Sequence, residues 1–241
     1  MNGEATNAAE VPSIPHEETA EAAVAVATPE ARRLRLCELA LVVGVAFLTP
    51  TLSSLVHWWS GAAPTPDRGL DGLYRILRAA LSISVLAYVL YRQGRSLRTI
   101  GLTAQASDVP WALAVTFCAK LVAGGLLTLF VAYQVALPKG ASLAAEPTLL
   151  KWLAVLPSAA MEELIVRAYL MTEVAALSGS MALAVIVSVG FQCFYHLYQG
   201  LPAALYHAAT FFAYAVFYAS TRRATPVVLA HALENFLILA R

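Results

Sequence analysis

Glu162 and Glu163 stand side by side in an otherwise apolar stretch, and Arg167 follows one helical turn later. Further along, His196 closes the run Phe191-Gln192-Cys193-Phe194-Tyr195-His196, and His231 and Asn235 lie four residues apart near the end of the chain. Carboxylate, imidazole and amide are what hydrolysis of an unactivated bond calls for: a base to take a proton from water, and fixed donors to hold the oxyanion that follows. On a helix, neighbours point about 100° apart, so Glu162 and Glu163 are expected to face different partners. Glu163 and Arg167, at i and i+4, can pair along one face. Glu162 has no such in-helix cation and is left to face a cavity, substrate or water. His231 and Asn235, also at i and i+4, present their polar ends to one side. The competing reading is that both glutamates only tie helices together. Three polar stations on three separate apolar stretches weigh against it.

The elements that must position these groups are set by composition. Hydrophobic residues make up 59% of the 241 and charged residues 13%, with a mean hydropathy of +0.67. So few charges cannot cover a soluble fold of this size, which points to a membrane protein. The formal net charge of +1 gives no reason to expect a nucleic-acid partner. Cys37, Cys118 and Cys193 are scattered through apolar stretches and suggest no disulfide framework. Residues 1–31 read as a disordered tail, rich in Ala, Glu, Pro and Thr and without an aromatic residue. Residues 32–241 read as an all-α, polytopic transmembrane helix bundle of about seven spans, with six to eight admissible. The runs fall near 36–57, 72–92, 109–137, 148–177, 180–199, 201–220 and 226–240. Pro64, Gly94, Pro138, Gly179, Gly200 and Pro226 punctuate them. Arg32, Arg33 and Arg35, then Arg92, Arg95 and Arg98, then Arg222 and Arg223 fall on one side if the N-terminus is cytoplasmic. Trp58, Trp59 and Trp111 fit interfacial positions.

Glu162-Glu163-x-x-x-Arg167, then His196, then His231-x-x-x-Asn235 resembles the three-motif signature of the CPBP intramembrane proteases, which include type II CAAX prenyl endopeptidases and Abi-type immunity proteins. The likeness spans about 148–240, with a weaker echo at Ser96-Leu-Arg-Thr-Ile-Gly101-Leu102. One departure is that the second motif is usually written F-x-x-x-H, whereas Gln192 stands four residues before His196 and Phe191 five. The resemblance implies an intramembrane endopeptidase acting on a membrane-associated protein or peptide. Glu162 is then the base that activates water, His196 its partner, and His231 with Asn235 the oxyanion-stabilising pair. Glu163 and Arg167 are implied supports. An inactive immunity or scaffold protein, or a small transporter, is the alternative.

Family members are described both as metalloproteases and as metal-independent glutamate proteases. We expect no obligatory cofactor, although zinc held by Glu162, His196 and His231 is the alternative ligand set; the local pattern H-E-x-x-H is absent. Depth poses a problem, because His196 falls late in its span and His231 early in the next but one. Either the spans tilt, or the Gly200-Leu201-Pro202 turn lies within the membrane beside a wet cavity. Lys120 is expected to snorkel or meet a carboxylate, His207 to be structural, and Glu234 to pair with an arginine or line an exit. The lipid bilayer is the expected surrounding, the Ala- and Arg-rich usage reads as that of a bacterial cytoplasmic membrane protein, and the sequence leaves substrate and oligomeric state open.

Overall fold

A computed structural model of the chain describes residues 28–61, 70–135 and 148–240. The described residues are helical throughout: α1 (Pro29–Ser60), α2 (Asp71–Arg92), a 3-10 turn (Leu97–Ile100), α3 (Asp108–Ala132), α4 (Leu149–Glu162), a π-helical segment (Glu163–Tyr169), α5 (Leu170–Ser178), α6 (Met181–Tyr195), a second 3-10 turn (Leu197–Gln199), α7 (Leu201–Thr221) and α8 (Thr225–Leu239). Because α4, the π segment and α5 run on without a break, these elements make seven rods, as the apolar runs predict. The expected tail lies outside the described residues up to position 27. Helix α1 starts at Pro29, inside the stretch read as tail, because Thr28 caps it by accepting from the Ala31 amide and Pro29 fits the first turn.

Helices α1, α2, α3 and α7 are long and apolar enough to cross a membrane. Their outward faces carry leucines such as Leu41, Leu48, Leu81 and Leu121, each more than half exposed, which only a lipid surround makes favourable. The protein is an integral membrane protein. Helices α6 and α8 have 15 residues each, about 22 Å at 1.5 Å per residue and short of a hydrocarbon core of about 30 Å.

The rods form a ring. Helix α2 packs on α4, α4 on α8, α8 on α3, α3 on α7, α7 on α6, α6 on α1, and α1 back on α2. The π segment occupies the middle and touches α1, α2, α6, α7 and α8; all seven of its residues are buried. At Gly72 the backbones of α2 and α4 come so close that a Cβ would lie 2.4 Å from the Leu150 carbonyl carbon.

One end of the ring gathers the arginines. Arg35 on α1 and Arg95 after α2 both reach the buried carboxylate of Glu173 on α5, at 3.3 and 2.5 Å. Gln93 donates to Glu38 at 2.8 Å beside them. The loop after the first 3-10 turn meets the α7–α8 junction: Ala224 donates to the Gly101 carbonyl at 2.9 Å, and Arg223 pairs with Asp108. Gly101 sits at φ +90°, and a Cβ there would be 2.0 Å from the Arg222 carbonyl oxygen. The three arginine clusters thus share one end, as their spacing in the chain predicts.

Trp58 and Trp59 mark the far end of α1, while Trp111 near the start of α3 packs against Phe217. Cys37, Cys118 and Cys193 are all free. Gly72→Val should destabilise the bundle by about 1–3 kcal/mol through overpacking, read as a lowered unfolding temperature in detergent, whereas Gly44→Ala, with open space around it, should change little.

Candidate active site

The first motif lies at the change of helical register. A π-helix bonds i to i+5 and is rare, so a seven-residue stretch beginning at Glu163 needs outside support. Carbonyls along it receive that support from neighbouring helices. Ser188 on α6 donates to the Val166 carbonyl at 3.0 Å, and Tyr218 on α7 lies 3.2 Å from the Ala168 carbonyl. In lipid, water cannot perform this service, so side chains must.

The register places both glutamates toward one histidine. Glu163 is fully buried between Arg167, whose Nε lies 3.3 Å away, and His231, whose Nδ1 lies 2.7 Å from Oε1. Glu162 points to the same imidazole, with Oε2 4.0 Å from His231 Nε2. The expectation from α-helical spacing, that the two face different partners, is therefore replaced by convergence on His231. The Glu163–Arg167 pair is present as expected.

Glu162 is not free of partners either. The Tyr195 hydroxyl donates to its Oε2 at 2.6 Å, Gln192 Nε2 donates to the Tyr195 hydroxyl, and Arg167 Nη1 donates to Gln192 Oε1 at 2.5 Å. The result is a closed circuit of Glu163, Arg167, Gln192, Tyr195, Glu162 and His231. The Arg167 guanidinium also lies over the Phe211 ring at 4.5 Å. Within this circuit the Glu162 side chain is 15% exposed, whereas Glu163 and Arg167 are at 0%. That difference decides which carboxylate water can reach.

The other predicted residues stand around this circuit. His196 follows the last residue of α6 and makes no contact with Glu162 within hydrogen-bonding reach. Its ring stacks on His207 at 4.3 Å and lies 5.8 Å from Phe211, whose other neighbour, at 5.3 Å, is His231. One phenylalanine on α7 therefore separates the two motif histidines. Asn235 sits one turn beyond His231 and makes no hydrogen bond among the described residues.

The problem of depth is resolved by the break between α6 and α7. The α6 helix ends early, and Ser54 of α1 satisfies the irregular backbone beyond it, donating to the Phe194 carbonyl at 3.1 Å and accepting from the Tyr198 amide at 2.8 Å. His207 is a neighbour of the site rather than a distant packing residue. Glu234 pairs with Lys120 and accepts from Tyr214 at 3.0 Å, so its cation is the lysine, not an arginine.

Sequence reasoning did not single out Tyr195, Phe211 or Ser188. A usable signal existed on α6, where Ser188, Gln192 and Tyr195 fall at i, i+4 and i+7, a polar stripe on an apolar helix. Gln192, the departure from the usual motif, is the residue that links Arg167 to Tyr195.

As to metal, no three His, Cys, Asp or Glu side chains are grouped to hold an ion among the described residues. Glu162 and His231 approach each other, but His196 is engaged with Gln199 and His207, so the set Glu162, His196 and His231 does not fit a first coordination sphere as arranged here.

Fold and site together define a polytopic helical membrane protein with a buried carboxylate–histidine centre. Residues 144–237 match the family model described as type II CAAX prenyl endopeptidase Rce1-like, and this segment is a domain of that membrane-protease kind, in agreement with the resemblance of the motifs. No curated protein and no solved structure matches the chain.

Removing the cation tests the buried circuit. Arg167→Met leaves Glu163 buried and unpaired and should cost about 3–5 kcal/mol. The double variant Glu163→Gln with Arg167→Met should recover part of that loss in detergent thermal unfolding. A double variant no more stable than Arg167→Met would contradict the pairing.

Proposed function

We propose that the protein is an intramembrane endopeptidase that cleaves a peptide bond of a membrane-associated protein or peptide, with water activated by Glu162. The observation that carries this reading is the pair of unequal carboxylates: Glu163 sealed by Arg167 and His231, and Glu162 reachable from outside the same circuit.

The roles follow from the contacts. Glu162 takes a proton from a water, whose oxygen bonds to the scissile carbonyl carbon. Tyr195 holds the Glu162 carboxylate in place through its hydroxyl. Glu163 orients His231 by accepting at Nδ1, which leaves Nε2 directed to the region of Glu162. His231 and Asn235, from one face of α8, stabilise the oxyanion, and His196 completes the catalytic set from the α6–α7 break. As the carbon–nitrogen bond breaks, the proton held by Glu162 passes to the leaving amine. No resident metal is required in this scheme. The arginine-rich end faces the cytoplasm, in a bacterial cytoplasmic membrane, with the N-terminus on that side.

A prenylated CAAX peptide is the probe that the Rce1-like match recommends. Glu162→Gln should lower its cleavage by about 100- to 10,000-fold, the range for loss of a general base, with the variant still inserted and folded. Comparative membrane proteomics of cells carrying the protein or Glu162→Gln should show intact substrates accumulating in the variant. Undiminished turnover by purified Glu162→Gln would refute the assignment. Metal analysis of active, detergent-purified protein should give substoichiometric metal; a stoichiometric ion whose removal and return abolish and restore turnover would replace the scheme with a metal-dependent one.

A further inference from the structure

The break between α6 and α7 holds a second set of contacts that the scheme above does not use. Gln199, at the end of the 3-10 turn, lies between two imidazoles. Its Nε2 is 3.2 Å from His196 Nδ1 and 2.8 Å from the Tyr198 hydroxyl, and its Oε1 is 2.9 Å from His207 Nε2. The amide group with two hydrogens faces the two partners on one side, and the carbonyl faces the single partner on the other. The tautomers follow from this network. His196 Nδ1 accepts, so its proton is on Nε2. His207 donates from Nε2 to the amide oxygen. His196 Nε2 is buried and has no hydrogen-bond partner. A buried N–H without an acceptor is costly, and a resting site that carries one is built for an acceptor that arrives later.

We infer that Gln199, anchored by His207, is a positioning residue that locks His196 as an Nε2–H donor, and that the acceptor is the carbonyl oxygen of the bond to be cleaved. This deepens the protease reading and rests on it: His196 acts as a neutral hydrogen-bond donor to the oxyanion, not as the partner that shares the proton of Glu162. No bond to His196 forms or breaks; its proton stays on Nε2 throughout, and the water proton travels through Glu162. His196 is held flat for the task between His207 at 4.3 Å and Tyr195 at 4.5 Å. A cavity of about 280 Å³ lined by Phe130, Pro202, Tyr206, Gln199 and His207 opens beside the amide, so an extended segment lying in it would pass next to His196.

The test reads the tautomer directly. Full-length protein with ¹⁵N-labelled histidine, in lipid nanodiscs, has five imidazoles, assigned by single substitution. His196 should show a protonated Nε2 and an unprotonated Nδ1. In Gln199→Glu, whose carboxylate only accepts, the proton should appear on Nδ1. With the prenylated CAAX peptide as probe, Gln199→Glu should lower kcat by about 100-fold, the scale of losing one oxyanion donor, with KM within about twofold. A wild-type His196 protonated on Nδ1, or a Gln199→Glu variant with undiminished kcat, overturns the assignment. The tautomer is read whether or not the peptide is cut. Failure of the wild type to cleave any substrate therefore counts against the protease reading, while the NMR result decides the role of Gln199.

Discussion

A full charge placed in hydrocarbon must be paired or it will not stay folded, and Glu163 with Arg167 is the place where this chain meets that constraint most severely. Both side chains are wholly buried at the centre of the ring. Neither could be there without the other, and the pair alone leaves donors and acceptors over. His231 takes one glutamate oxygen and Gln192 one guanidinium nitrogen. Phe211 covers the guanidinium face. The helices that carry these groups, α6, α7 and α8, are thereby fixed around the fourth rod by polar contacts rather than by apolar burial, which in lipid offers little drive for helix association.

The π segment is the local feature that makes the arrangement work. A regular α-helix would separate Glu162 and Glu163 around its axis. The wider turn lets both approach His231, and its carbonyls are then taken up by Ser188 and Tyr218. One carboxylate is fixed and enclosed; its neighbour stays within reach of water. A single pair of identical residues thus acquires two environments, the division of labour that acid–base chemistry uses elsewhere. The short α6 helix contributes in a different way. By ending inside the membrane it brings His196 and irregular backbone to the depth of the site, and Ser54 of α1 makes that break tolerable.

The arginine-rich end serves a second purpose beside orientation. Glu173 draws Arg35 and Arg95 from two different elements to the end of the fourth rod. That clamp fixes α5 at one end while the π segment is fixed in the middle, so the motif-bearing rod is held at two levels.

Much of this was legible in the residues alone. Apolar runs and their breakers give seven rods, because a bilayer imposes a minimum length that composition reveals directly. Polar residues in those runs name the site, because their burial is too costly to be incidental. What the linear order could not give was the π register, since it depends on hydrogen bonds supplied by other helices. For the same reason it could not show that both glutamates meet His231, that Tyr195 and Gln192 close the circuit, or that His196 turns to Gln199 and His207. Spacing along a helix fixes which side chains share a face only while the helix keeps its ordinary period; where tertiary contacts change that period, only the packed structure decides who meets whom.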